Sequence, residues 1–167
     1  MESIKSDKTG LRLFNMNKLS LLRRLINIWP PFLGAGIRVN KIAPDATRIE
    51  VEMKLRWWNR NYMGTQFGGS LYSMTDPFFA IILLENLGKD YIVWDKAGTI
   101  RYKSPGRGRV IAKFEISLDE IQSIRDRVDK EGKINSHFHV PVLDNQGKVI
   151  AEVEKTLSIR RKDKLKY

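Results

Sequence analysis

The sequence predicts an α+β fold in which a curled antiparallel sheet wraps one long buried helix, with an extra helix at the amino end. Three observations predict it. From Gly68 to Leu87 the chain is apolar on nearly every side of a helix, so that helix must be buried all round. Strand signals occur in two segments before it and four after it. Antiparallel strands on both sides of one apolar helix close most simply as a sheet curled around that helix.

Residues 1–14 read as a flexible leader and 15–167 as a single domain. From Met16 to Trp29 the spacing is helical: Leu19, Leu22, Leu25 or Ile26, and Trp29 recur, with Lys18, Arg23 and Arg24 elsewhere. Pro30 and Pro31 stop this helix. A basic amphipathic helix can lie on a membrane surface; packing on its own domain is the expectation here. Ile37 and Val39 open a strand, and Pro44-Asp45 marks a turn. Ile49, Val51, Met53 and Leu55 then alternate with Arg48, Glu50, Glu52 and Lys54, which completes a hairpin. The segment WWNRNYMGTQF is irregular and aromatic. Within the apolar helix, Pro77 is expected to leave the Ser73 carbonyl without its helical partner and to bend the axis. Gly88 closes that helix. Four strands follow, at Tyr91–Lys103, Arg109–Leu118, Lys133–Leu143 and Lys148–Arg160, with a charged exposed helix over DEIQSIRDRVDKEG and a basic tail, RRKDKLK. Such a sheet has two edges that need cover, and pairing across a two-fold axis is one solution.

Composition narrows the function. A chain of 167 residues has room for one domain with a real core. The absence of cysteine excludes disulfides, thiolate zinc sites and a cysteine nucleophile. A net charge of +11 suits a polyanionic partner: nucleic acid, an anionic membrane or a phosphate-rich cofactor such as coenzyme A. No apolar run reaches the ~18 residues of a membrane span. The opening MESIKSDKTG lacks the order of a signal peptide, so a cytoplasmic protein is expected. There is no glycine-rich phosphate loop and no G-x-S-x-G elbow. His137 and His139 alternate on one strand without a third ligand nearby, so no metal is expected.

The chemistry concentrates in residues 61–76, NYMGTQFGGSLYSMTD. Gly68-Gly69 stands at the start of the buried helix, where free N–H groups can hold an oxyanion or phosphate. Asp76 is a lone carboxylate about two turns further on, among apolar residues. A buried acid is costly unless it is hydrogen-bonded or has a task. The two features could act on one carbonyl, or they could be a capped helix with a satisfied polar group. Lys103, Arg107 and Arg109 flank the Ser104–Gly108 turn and could bind the phosphates of coenzyme A, or form a solvated basic hairpin. Trp57, Trp58, Arg56 and Arg60 could stack nucleic-acid bases or pack the irregular segment against the helix start.

The spacing N-x-x-G-x-x-[H]-G-G-x-x-[FY]-x-x-x-D resembles that of the phenylacetate-pathway hotdog acyl-CoA thioesterases. The likeness runs over roughly residues 36–160 and includes Tyr102-Lys103-Ser104-Pro105. More closely, GTQFGGSLYSMTDPF, YIVWDK and EVEKTLSIRRK resemble a bacterial hotdog family known as a domain of unknown function, whose members are often labelled thioesterases. The resemblance implies a hotdog fold and catalytic roles for Asp76 as nucleophile or general base, for the Gly68 N–H in polarising the thioester carbonyl, and for the Asn61 amide in positioning water or substrate. It places Phe67, Gly69, Asp95, Lys103 and Arg107 in substrate binding. Phe67 departs from the usual histidine, which removes a polar contact and makes the acyl site more apolar. Asp95 departs from the usual serine or threonine contributed across a dimer interface. A second acid beside Asp76 would raise one pKa of the pair; Lys96 is the nearby cation, on the opposite strand parity.

The expected function is hydrolysis of an acyl-CoA or acyl-carrier thioester, with a non-catalytic acyl-CoA or fatty-acyl binder as the alternative that Phe67 favours. No cofactor is expected, coenzyme A entering as part of the substrate. A homodimer, or a tetramer built from it, is the expected assembly. Nucleic acid and membrane are not the expected partners.

Overall fold

The computed structural model of the chain describes residues 5–163, with side chains from residue 17 onward. Its element order is α1 (Lys5–Ile28), α2 (Pro30–Ala35), β1 (Ile37–Ile42), β2 (Arg48–Lys54), α3 (Gly68–Ser73), α4 (Phe78–Leu87), β3 (Tyr91–Tyr102), β4 (Arg109–Glu115), α5 (Leu118–Glu131), β5 (Lys133–Asp144) and β6 (Val149–Arg161). The six strands form one antiparallel sheet in the order β1-β2-β4-β5-β6-β3. Both the expected α+β class and the buried central helix are present.

The helical core comes in two pieces. Pro77 has no N–H to donate, so the first piece tightens as it ends: Thr75 N–H bonds the Tyr72 carbonyl at 2.9 Å and Asp76 N–H bonds the Ser73 carbonyl at 3.1 Å. The Ser73 carbonyl is therefore not orphaned, as expected from a continuous helix, but taken up one residue early. α4 restarts beyond Pro77, with Ile81 N–H on the Pro77 carbonyl at 3.0 Å. Its apolar faces meet both halves of the curled sheet. Phe78 lies 5.0 Å from Phe114 on β4, and Phe79 stacks on Phe138 of β5 at 4.8 Å. Each fully buried ring of this kind contributes about 1.5–3 kcal/mol of transfer free energy.

The amino end differs from its sequence expectation. α1 starts at Lys5, well ahead of Met16, and takes in most of the stretch read as a leader. Pro30 and Pro31 end α1 but also begin α2, occupying first-turn positions where no N–H is needed. On α1, Leu19 is buried and Leu22 and Ile26 half-buried against the domain, whereas Leu25 and Trp29 are exposed. β4 is shorter than expected because Ser117 leaves the sheet to cap α5, its Oγ accepting from the Glu120 N–H. The end of the basic tail, residues 164–167, lies outside the described residues.

The two sheet edges are treated differently. At the β1 edge, Asn27 of α1 behaves like a neighbouring strand: its Oδ1 accepts from the Val39 N–H at 2.7 Å and its Nδ2 donates to the Val39 carbonyl at 3.1 Å. At the other edge, β3 pairs only with β6 among the described residues, and from Trp94 to Thr99 it is exposed.

Candidate active site

An acid pair with one buried cation sits where the central helix breaks. Asp76 is carried out of α3 by the turn before Pro77. Asp95 continues the inward parity of Tyr91 and Val93 on β3, just before a bulge at Lys96. Lys155 lies on β6 in the inward series Ala151, Val153, Leu157, Ile159. Its Nζ is 3.0 Å from an Asp95 oxygen and 3.4 Å from an Asp76 oxygen. It also lies 5.2 Å from the centroid of the Tyr72 ring. The Lys155 side chain is 4% exposed, while those of Asp76 and Asp95 keep 52% and 31%. The cation is thus held inside and the carboxylates look outward.

The electrostatics follow from that placement. Burial pushes the Asp95 carboxyl up, Lys155 pulls it down, and the neighbouring Asp76 pushes it up again; the net lies above the ordinary 3.8. Burial alone would lower Lys155, but its hydrogen bond to Asp95 and the charges of Asp76 and Asp95 outweigh it, so its pKa lies above the ordinary 10.5. Lys155 therefore stays charged at neutral pH and offsets one of the two acids.

A second feature, a cleft of about 490 Å³, opens at the start of α3. Asn61, Gln66, Gly68, Tyr102, Lys103 and Arg107 line it. Tyr102 donates from its hydroxyl to the Gly68 carbonyl at 3.0 Å. A Cβ on Gly68 would lie 2.9 Å from that hydroxyl, so a larger residue there would have to push the tyrosine back. The helix begins without a side-chain cap, which leaves its first N–H groups to other partners. Phe67 is exposed, and its ring lies over Gly69. Asn61 is committed to its own loop: Oδ1 accepts from the Thr65 N–H at 3.0 Å, and Nδ2 donates to Thr65 Oγ1 at 2.9 Å and to the Gln66 carbonyl at 3.2 Å. Lys103 pairs with Glu152 at 2.9 Å. Arg107 is exposed and makes no ion pair among the described residues.

With this geometry in hand, comparison with known proteins identifies the family. Residues 18–159 match the profile described as Domain of unknown function (DUF4442). The chain belongs to that family. Among solved structures, it is similar to a Pseudomonas aeruginosa protein described as a probable thioesterase, with 20% identity over 86% of this chain and 95% of that one and a TM-score of 0.76. It is also similar to a thioesterase of Haemophilus influenzae, at 16% identity, 84% and 88% coverage and a TM-score of 0.63. A third is the phenylacetic acid degradation protein PaaI of Thermus thermophilus, at 24% identity, 78% and 98% coverage and a TM-score of 0.55. These likenesses establish the hotdog fold. No curated protein matches the chain.

Within this DUF4442 domain the expected site residues fall into two groups. Asn61, Gly68, Lys103 and Arg107 share the cleft, with Phe67 and Gly69 at its helix start. Asp76 and Asp95 form the other group and do not line that cleft. The six residues of α3 stand between them, a rise of about 9 Å. The second acid beside Asp76 was legible in sequence; its cation is Lys155, not Lys96, which bulges out of the β3–β6 register. Lys155 had a signal: between Val149 and Ile159 it is the one charged residue on an otherwise apolar parity of β6. Two further roles were missed. Tyr102 holds Gly68. Gln66 is buried and donates from Nε2 to the Gly108 carbonyl at 2.9 Å, leaving its Oε1 without a partner. His137 and His139 do share the outward face of β5, where His137 Nδ1 lies 3.0 Å from Thr156 Oγ1. Trp57 and Trp58 are exposed rather than packed against the helix start.

Proposed function

We propose that the protein is a thioesterase that hydrolyses an acyl-CoA or acyl-carrier thioester, working as a homodimer in which each site joins one protomer's cleft to the partner's acid pair. The observation that carries this reading is the Asp76–Lys155–Asp95 cluster: two outward-looking carboxylates around a buried lysine, beside an open β3 edge. Pairing β3 across a two-fold axis would continue the sheet and bring the acid pair of one protomer toward the cleft of the other.

In this reading Asp76 takes a proton from water as the water oxygen attacks the thioester carbonyl carbon. The Gly68 N–H holds the developing oxyanion, an interaction worth more in the transition state than in the bound substrate. The carbon–sulfur bond then breaks, and the proton held by Asp76 passes to the departing thiolate. The products are a free acid and a thiol. Lys155 holds Asp76 and Asp95 in place and offsets their repulsion. Arg107 offers an unpaired cation for phosphate, while Lys103, paired with Glu152, offers a weaker one.

Thiol release from a chain-length series of acyl-CoA thioesters tests this. Wild-type protein is expected to turn over, and Asp76→Asn to lose about 10²–10⁴-fold with its melting temperature unchanged. Full activity in Asp76→Asn would refute the role of Asp76. A second reading, a non-catalytic acyl binder, is favoured by Phe67, whose exposed ring adds apolar surface at the cleft. Tight acyl-CoA binding with no thiol release would establish that reading instead.

A further inference from the structure

α1 carries a second apolar stripe on the side away from the domain. While Leu19, Leu22 and Ile26 face the sheet, Leu21, Leu25 and Ile28 point the other way, and Trp29 and Leu33 carry the surface on through α2. All five are about half exposed or more, and among the described residues nothing packs over the stripe. The surface extends through a second segment. Asn59 donates to the Ala35 carbonyl at 2.9 Å and so docks the chain beside the end of α2. Next to it Trp57 and Trp58 are exposed, with the Arg56 guanidinium 5.2 Å over the Trp58 ring. Tryptophan with arginine beside a row of leucines suits the boundary between headgroups and acyl chains.

Charge says what covers this face. Residues 8–44 contain no aspartate or glutamate and seven lysines and arginines: Lys8, Arg12, Lys18, Arg23, Arg24, Arg38 and Lys41. Residues 53–75 are again free of acids and contain Lys54, Arg56 and Arg60. One acid reaches α1 from outside these segments, Glu85, which pairs with Lys18 at 2.6 Å. Arg23 and Arg24 remain exposed on the helix with no ion pair among the described residues, and the whole chain carries +11. A second copy would bring the same cations against this face and repel it; an anionic surface would be attracted. No helix of the described residues is long and apolar enough to cross a membrane, so the contact is one of lying on the surface. We propose that the α1–α2 face, with the Trp57-Trp58 loop, is a docking surface for an anionic lipid bilayer, and that the protein binds membranes peripherally through it. This proposal does not depend on the thioesterase reading.

Co-sedimentation of the full chain with vesicles tests it. With phosphatidylcholine vesicles containing about three-tenths phosphatidylserine, to supply the surface charge, the protein is expected to pellet. It should stay in solution with phosphatidylcholine alone and be released from the anionic vesicles by high salt. The double variant Leu25→Glu/Ile28→Glu should lose on the order of tenfold or more in vesicle binding. Arg24→Glu, which leaves the apolar stripe intact, should lose several-fold and keeps the test open should the double variant fail to fold. Failure of the wild type to pellet with anionic vesicles would overturn the proposal. So would vesicle binding unchanged in both variants. So would a vesicle-free assembly that Leu25→Glu/Ile28→Glu breaks into smaller species, since that would place a second copy on this face.

Discussion

The two edges of the sheet solve the same problem in different ways. At β1 the unpaired backbone is met from within the chain: α1 lays Asn27 along it, and one amide makes both bonds that a strand would make to Val39. At β3 nothing in the described chain does this, and the strand keeps an exposed middle. The acid pair follows the same division. Asp95 is on the open edge strand and Asp76 beside it, while the glycine-led cleft lies at the other end of α3. In the proposed dimer, the open edge is where a second protomer completes the site.

That contrast can be broken from either side, and the largest effect is expected at β3. In the proposed dimer, Thr99→Lys sets a cation on each of the two paired β3 edges, and the two would repel. The dimer should weaken by at least about tenfold, and thioester hydrolysis should fall with it, while the protomer keeps its fold. Sedimentation and thiol release at matched concentrations measure both. Dimer and activity that are both unchanged would show that β3 is not the interface.

Lys155→Met acts inside the cluster. It removes the cation and leaves two carboxylates facing one another. Breaking a fully buried pair costs about 3–5 kcal/mol, and the partial exposure of Asp76 and Asp95 reduces this to about 1–3 kcal/mol. The pH dependence has a definite sign. Asp95 has a raised pKa, so the fold is favoured when it is protonated and disfavoured as pH rises through its folded value. The deficit of the variant should therefore shrink on acidification toward pH 4. In the wild type, the contribution of Lys155 is complete below 10.5 and fades as pH climbs through its higher folded value. Urea unfolding across pH measures each, and a deficit that grows on acidification would contradict the assignment.

Asn27→Ala tests the closed edge. Losing two backbone partners of Val39 should cost about 1–2 kcal/mol and leave association untouched, the reverse of Thr99→Lys. The smallest effect is expected at Phe67. Phe67→His should raise turnover a few-fold and weaken apolar acyl binding, because the ring is exposed over Gly69 and not part of the core. Steady-state kinetics with medium and long acyl chains measure it.

What the sequence made legible was mostly periodic. The strand alternations from Arg48 to Lys54 and from Arg109 to Glu115 and the apolar run from Phe78 to Leu87 each read directly, because burial repeats along the chain. The candidate site was legible through its motif, which named Gly68 and Asp76, and through the resemblance, from which Asp95 stood out as a departure. Lys155 was not found because it comes from the last strand and meets Asp76 only through the curl of the sheet, although its inward parity was visible. Tyr102 was legible only as part of the matching Tyr102–Pro105 segment; its bond to Gly68 escaped for a similar reason, since it joins residues far apart in sequence. The break at Pro77 was foreseen as a bend, but proline alone does not say that Asp76 N–H would rescue the Ser73 carbonyl. The second face of α1 was hidden by ambiguity, since Leu21, Leu25 and Ile28 keep helical spacing as well as Leu19, Leu22 and Ile26 do.

The central claim, a site made of two halves from two protomers, is tested most directly by mixing two inactive variants. Asp76→Asn disables the acid half. Gly68→Val disables the cleft half, since even a Cβ at Gly68 meets the Tyr102 hydroxyl at 2.9 Å. Each should be inactive alone while keeping the circular dichroism spectrum of the wild type. After unfolding and refolding together in equal amounts, half of the dimers combine one chain of each kind, and each of those holds one intact site. Thiol release should then recover to about a quarter of the wild-type rate. A mixture as inactive as its two components would show that Asp76 and Gly68 must come from the same chain, and the two-half account would be wrong.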